Sequence, residues 1–200
     1  MKREYVIGEP VLNFWSNASI KCGFYKFSNF QYIEGGIQPF DDELVFISTE
    51  HAFQSRKYAK KDRIRFSVNG DLGNIDGFSL VFREKDHEKK REYWMKKGNI
   101  GVIAKMATNE KLGKKLGLER NQDFVSTDEL WIQIITCKYR KEEFKQILTN
   151  TEDIYLLEFD RMAYHRFNTL PAFWGGIIID NKLWGENQMG NYLMHVRDLI

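Results

Sequence analysis

The sequence predicts a predominantly helical α+β domain with a small β element at its N-terminal end. The first third consists of short β-like runs and turns, whereas most of the chain from residue 48 onward repeats apolar residues at helical spacing. With 200 residues, 42% of them hydrophobic and 14% aromatic, the chain can bury one sizeable core. That length fits a single domain over residues 1–200 better than two. The formal charge is only +2, so no overall field draws the chain to nucleic acid or anionic lipid. Any nucleic-acid contact has to be local.

In chain order, residues 11–15, 24–30 and 44–47 read as strands of a small sheet or ribbon, separated by Gly23 and by Gly35-Gly36. A first long helix opens near Ser48 and runs to residue 65 with its basic residues mostly outward. Glycines 70, 73 and 77 suit turns, so residues 67–82 read as an inserted loop or hairpin. Residues 83–97 read as a charged surface helix anchored by Tyr93, Trp94 and Met95 and ended by Gly98. Basic residues interleaved with aromatics can bind single-stranded nucleic acid, but such runs are more often solvated faces, and the sequence alone favours that reading. Residues 100–116 resume the apolar repeat, with Lys105 inside it.

Ser126 and Glu129 form a capping box. Leu130, Trp131, Ile134, Ile135, Phe144, Ile147 and Leu148 follow at helical spacing, as one long helix or two, and are core rather than a cofactor box. An aromatic, glycine-rich stretch precedes a last helix from Asn191.

The segment Ser48-Thr49-Glu50-His51-Ala52-Phe53-Gln54-Ser55-Arg56-Lys57 places a carboxylate, an imidazole, an amide and an amine on the opening turns of one helix. Glu50, Phe53, Gln54 and Lys57 share a face, while Ala52, Arg56 and Ala59 turn elsewhere. The plainer alternative is that Ser48 or Thr49 caps the helix and Glu50 favours its positive end. His51 points about 100° off that face, as a packed histidine would. Trp174-Gly175 and Trp184-Gly185, followed by Asn187 and Gly190, offer flat walls beside backbone that can approach a planar base; core filling and turns are the alternative. Histidines at 51, 87, 165 and 195 form no close ligand pair, and Cys22 and Cys137 have no ligand spacing. No metal and no cofactor is expected. The reduced cysteines and the lack of a leader or a roughly 20-residue apolar run point to a cytoplasmic protein without membrane contact; the sequence sets no oligomeric state.

Phe14-Trp15, Phe27-Ser28-Asn29-Phe30, the Ser48–Gln54 segment with Lys57, Ala104-Lys105-Met106, Leu157-Glu158, Phe173-Trp174-Gly175-Gly176 and Trp184-Gly185-Glu186-Asn187-Gln188-Met189-Gly190 with Leu193-Met194 and Val196-Arg197 occur in one order over nearly the whole chain. That ordered series resembles the NADAR, or YbiA-like, family. The resemblance implies a YbiA-like fold and an N-glycosidase that severs ribose from nitrogen, acting on guanine-linked ADP-ribose in nucleic acid or on riboflavin-pathway intermediates. It implies Glu50, Lys57 and Lys105 as catalytic groups. It implies Phe27, Ser28, Asn29, Phe30, His51, Gln54, Glu158, Trp174, Gly175, Gly176, Trp184, Asn187 and Gly190 as substrate contacts, and ADP-ribosylated nucleic acid or a nucleotide-like small molecule as partner.

Such a bond breaks through an oxocarbenium-like state that needs an anion near the anomeric carbon and an acid for the leaving nitrogen. Glu50 is the first candidate. Lys57 or Lys105, if neutral, can instead attack the opened sugar aldehyde. The chain departs from the family where an aspartate usually precedes the first tryptophan-glycine pair: Leu170-Pro171-Ala172-Phe173 stands there, with Asp160 and Asp180 as the nearest carboxylates. Residues 67–97 also look like an insertion. The rival class is a module that reads ADP-ribose without cleaving it.

Overall fold

The computed structural model describes residues 2–15, 24–166, 169–170 and 172–200; Cys22, Gly23 and Pro171 lie outside the described residues. The chain begins with β1 (Val11–Phe14) and a 3-10 turn (Phe24–Phe27). Helices α1 (Thr49–Arg56), α2 (Lys60–Arg63), α3 (Gly77–Val81), α4 (His87–Lys96), α5 (Val102–Ala107), α6 (Glu110–Lys115), α7 (Asp128–Tyr139) and α8 (Glu142–Thr149) follow. Then come β2 (Tyr155–Glu158), α9 (Ala163–Arg166), β3 (Ile177–Ile179), β4 (Lys182–Trp184) and α10 (Gln188–Leu199). This is the helix-dominated α+β mixture that the sequence predicts. The chain forms two compact units, Ser28–Lys138 and Met1–Phe27 with Tyr139–Ile200.

In the unit Ser28–Lys138, α1 starts where Ser48 accepts a hydrogen bond from the His51 amide at 3.2 Å, so Ser48 is the cap. The helix does not continue to residue 65. Tyr58 is buried and stacks on Phe66 at 5.3 Å, and the Ala59 amide donates to the Glu119 carbonyl, so the chain turns back on itself after Arg56. Residues 67–76 form turns rather than a hairpin. Leu72 is fully buried there, and Arg65 holds Asp71 at 2.7 Å, which makes the loop part of the core before α3 begins.

Helix α4 buries no residue, and Tyr93 and Met95 are 47% and 42% exposed, so the expected anchor is confined to the half-buried Trp94. The apolar repeat of residues 100–116 breaks in two because the Asn109 side chain caps α6, accepting from the Lys111 and Leu112 amides. One residue later than the expected capping box, Thr127 Oγ1 accepts from the Leu130 amide at 3.2 Å, with Ser126 outside the helix. The strand expected at 44–47 reduces to a single bridge between Phe46 and Ile37.

In the other unit, β1 pairs in parallel with β2, Val11 opposite Tyr155 and Phe14 opposite Glu158. No N-terminal ribbon forms among the described residues, and residues 24–27 are a 3-10 turn rather than a strand. Parallel pairing needs a long crossover, so β1 finds its partner far away in sequence. Two turn residues, Asp180 and Asn181, with φ of 51° and 60°, close the β3–β4 hairpin.

Helix α10 starts at Gln188, three residues before the expected Asn191, because its first donors find acceptors. The amides of Gln188 and Met189 donate to the carbonyls of Phe173 and Trp174 at 3.1 and 3.0 Å. Asn187, fully buried, donates from Nδ2 to the Leu156 carbonyl at 2.8 Å and accepts the Glu158 amide at 3.0 Å, which fastens the start of α10 to β2. One turn on, any side chain at Gly190 would run into the Leu156 carbonyl, so helix and strand meet backbone to backbone. Asn187→Ala strands both backbone groups of β2 and should cost about 2–4 kcal/mol in urea unfolding; an unchanged midpoint contradicts this account of the α10–β2 joint.

Candidate active site

The cluster lies in the unit Ser28–Lys138, where α1 supplies Glu50 and Gln54, Lys57 follows its last turn, and α5 supplies Lys105. Glu50 is 5% exposed. Gln54 Nε2 donates to Glu50 Oε1 at 2.6 Å, the (i, i+4) contact that the helical spacing predicts. Lys105 Nζ stands 3.8 Å from the same oxygen, beyond hydrogen-bond reach but within Coulombic range. Lys57 rests its ammonium over the Phe53 ring at 4.7 Å, and that ring is stacked on Trp131 at 4.0 Å. Arg56 turns the other way, to Asp42 at 2.5 Å and over the Phe40 ring.

Gly101 makes this geometry possible. A Cβ there would sit 2.6 Å from Phe30 Cα and 3.1 Å from Glu50 Cβ, so only glycine lets the start of α5 touch α1 beside the carboxyl. The Gly101 amide also donates to the Phe30 carbonyl at 2.9 Å.

Burial holds the Glu50 carboxyl above its ordinary pKa, against the opposing pulls of Lys105, the Gln54 amide and Lys57. The balance follows from exposure. Glu50 loses its water almost completely, whereas the Lys105 side chain is 56% exposed and its attraction is screened. Gln54 Oε1 is buried with no partner, an acceptor not yet used. Lys57 is lowered from the usual lysine value, first by burial and then by Lys105, with Glu50 opposing. Lys105 does not sit among apolar side chains as its sequence position predicts: α5 buries Val102, Ile103, Ala104 and Ala107 and turns Lys105 outward.

Other expected contacts serve the fold. Ser28 accepts the Phe30 amide on Oγ, and its carbonyl accepts the buried Lys138 ammonium at 3.0 Å. Asn29 lies 3.0 Å from Thr49 Oγ1 through both its carbonyl and Oδ1, and its carbonyl accepts the Glu50 amide. These contacts pin α1 and so aim Glu50. His51 is fully buried with Ser48 Oγ 2.8 Å from Nδ1 and the Leu72 carbonyl 3.0 Å from Nε2, and burial pushes it down to about 4. Neither ring nitrogen is left for a ligand, which corrects its place among the substrate contacts.

The second set falls in the other unit. Phe27 is core, packed on Phe14 at 5.5 Å and Tyr139 at 6.4 Å. Gly175, Gly176 and Gly190 are buried against the protein's own backbone, at Glu158, Trp184 and Leu156, and Asn187 spends its amide on β2; none of the four offers an open approach to a ligand. Glu158 ends β2, its carbonyl accepting the Gly176 amide at 2.8 Å. Trp174 is 38% exposed and Trp184 half-buried, edge-on to Tyr164 at 4.9 Å, so both rings keep some accessible surface. Asp160 pairs with Arg166, and Asp180 is an exposed hairpin-turn residue. A cavity of about 410 Å³ in this unit is lined by Lys2, Arg3, Asn191 and Arg197 among others, none of them an expected contact. Several of its polar groups are engaged within the protein: the Arg3 amide donates to Asn191 Oδ1, and Arg197 donates to Thr151 Oγ1 and the Ile154 carbonyl.

Among the described residues no group of three or more His, Cys, Asp or Glu side chains is placed to hold a metal ion, and no helix is long and apolar enough to cross a membrane. Gly101 and Lys138 were missed by the sequence reading. For Gly101 the available signal was a glycine at a helix start, uninformative until the facing helix is known; a lone lysine near the end of an apolar helix gave none. Gly101→Ala should push α5 off α1 and lower stability by about 1–3 kcal/mol; a chemical-denaturation midpoint equal to the parent's contradicts the close approach described.

No family model and no curated protein matches the chain. Among solved structures it is similar to the NMR structure of the E. coli protein YbiA, with 20% sequence identity and a TM-score of 0.52 over 98% of this chain and 87% of that one. At that identity the likeness is one of architecture: the chain has a YbiA-like fold of mixed helices and short strands.

Proposed function

We propose that the chain is an N-glycosidase that hydrolyses the bond between ribose and a base nitrogen, with guanine-linked ADP-ribose in nucleic acid as the favoured substrate and membership of the NADAR family as the corollary. The observation that carries this reading is Glu50: a carboxyl buried at a helix start, raised in pKa by that burial, with one oxygen fixed by Gln54 and two amines close by. In the proposed reaction Glu50, neutral before the step, passes its proton to the departing base nitrogen as the C1′–N bond breaks. Water adds to the anomeric carbon of the oxocarbenium-like species and returns a proton to the Glu50 carboxylate, giving free base and a ribose hemiacetal. Gln54 Oε1 has acceptor capacity for a ribose hydroxyl. Of the two lysines, half-buried Lys57 is better suited than exposed Lys105 to attack an opened sugar aldehyde, because burial moves it toward the neutral amine.

A reader that binds without cleaving is the second reading. It is favoured by Asp160 and Asp180, the nearest stand-ins for the family's aspartate, being taken up by an ion pair and a hairpin turn. One experiment separates the two. A guanine-ADP-ribosylated oligonucleotide is incubated with the parent or with Glu50→Gln, and the products are followed by mass spectrometry. The glycosidase reading expects release by the parent and a fall of about 10²–10⁴-fold in the variant, with binding retained. Saturable binding without release by the parent supports the reader, and equal turnover by both proteins removes Glu50 from the chemistry.

A further inference from the structure

We infer that α4 is a docking surface for single-stranded nucleic acid, holding the strand that flanks the modified base; this rests on the proposed function in taking that base to be part of a polynucleotide. On a helix, Lys89, Lys90, Tyr93, Lys96 and Lys97 fall within an arc of roughly 120°, while Glu88 and Glu92 lie outside it. Asp86, at the N-terminal end of that arc, is held by Arg83 at 2.8 Å. Four lysines therefore share one face with a tyrosine, with Arg91 off that face and Asp86 the acid within it.

That face is open. Helix α4 buries none of its residues, and Lys89, Lys90 and Lys96 are exposed with no carboxylate partner among the described residues. Tyr93 is 47% exposed, with Lys97 Nζ 4.6 Å from its ring centroid. A helix that only covered a core would bury a stripe. An exposed tyrosine with lysine ammonium groups on the same face fits a chain of phosphates with a base stacked on it.

The surface also connects to the Glu50 cluster within the same unit. The Tyr32 amide donates at 2.6 Å to the carbonyl of Gly98, just past the end of α4, and the Tyr32 ring is 44% exposed. Three residues earlier, the Asn29 carbonyl accepts the Glu50 amide at 3.0 Å. Three residues of chain span at most about 11 Å, so α4 ends within a few nucleotides' reach of the carboxyl. The small net charge of the chain conceals this patch because acids elsewhere offset it.

The test measures binding of an unmodified oligothymidylate by fluorescence anisotropy over a range of salt, for the parent, for Lys89→Gln/Lys90→Gln/Lys96→Gln, and for Tyr93→Ala. The inference expects the triple variant to lower the slope of log affinity against log salt by about 2, one phosphate contact per lysine at about 0.7 each. Tyr93→Ala should weaken binding roughly tenfold at fixed salt and leave the slope unchanged. A parent that does not bind the strand, or variants that keep the parent's slope and affinity, would overturn it. Because the unmodified strand offers nothing to cleave, this readout is independent of catalysis: a chain that binds the strand through α4 but releases no ADP-ribose keeps the docking surface and loses the glycosidase reading.

Discussion

Helix α5 reaches Glu50 because residue 101 carries no side chain, and that close approach governs both the stability of the helical unit and the chemistry of its carboxyl. With the two helices in contact at Gly101, the acid loses its water while the Lys105 ammonium comes to 3.8 Å. Phe53 and Trp131, stacked at 4.0 Å, close the same side of α1 with apolar surface. Move α5 outward and water returns to Glu50, its burial is relieved, and it becomes an ordinary surface carboxylate at a helix start.

The electrostatics of the cluster depend on an asymmetry of exposure. A fully buried ion pair would leave Glu50 charged and bound to its lysine, whereas a fully exposed acid would ionise in the ordinary way. Here the acid is buried and the nearer lysine is not, so desolvation exceeds the screened attraction and the carboxyl is held above its ordinary pKa. Lys57 is shaped by the same surroundings in the opposite sense, burial favouring its neutral form. An acid inclined to keep its proton beside an amine inclined to lose one is the pairing that bond cleavage at an anomeric centre can use.

Much of this was legible in the sequence where the determinants are local. A cap at Ser48 or Thr49, the shared face of Glu50, Gln54 and Lys57, the helical stretch that becomes α7 and α8, and the helical α+β character all follow from spacing and capping chemistry. The failures are tertiary. The break after Arg56 is set by Tyr58 meeting Phe66, and β1 pairs with a strand across a long crossover. Glycines at 175, 176 and 190, which in sequence look like backbone open to a ligand, are instead the places where the protein's own strands and helix come too close for a side chain. Asn187, read as a ligand contact, is spent on the strand beneath it. A glycine or a buried amide announces a close approach in either case, and only the fold says what is approaching.

The most direct test of the central claim is a carbon-detected NMR titration of the Glu50 side-chain carboxyl in the parent and in Lys105→Met. The account predicts a midpoint above the ordinary 4.5 in the parent, moving higher in the variant because the cation that favours the charged form is gone. Stability should accordingly fall as pH rises from 4.5 through that midpoint, since over this window the folded chain binds the extra proton. A Glu50 that titrates at or below 4.5, or that moves downward when Lys105 is removed, would contradict the picture of a carboxyl whose pKa burial raises.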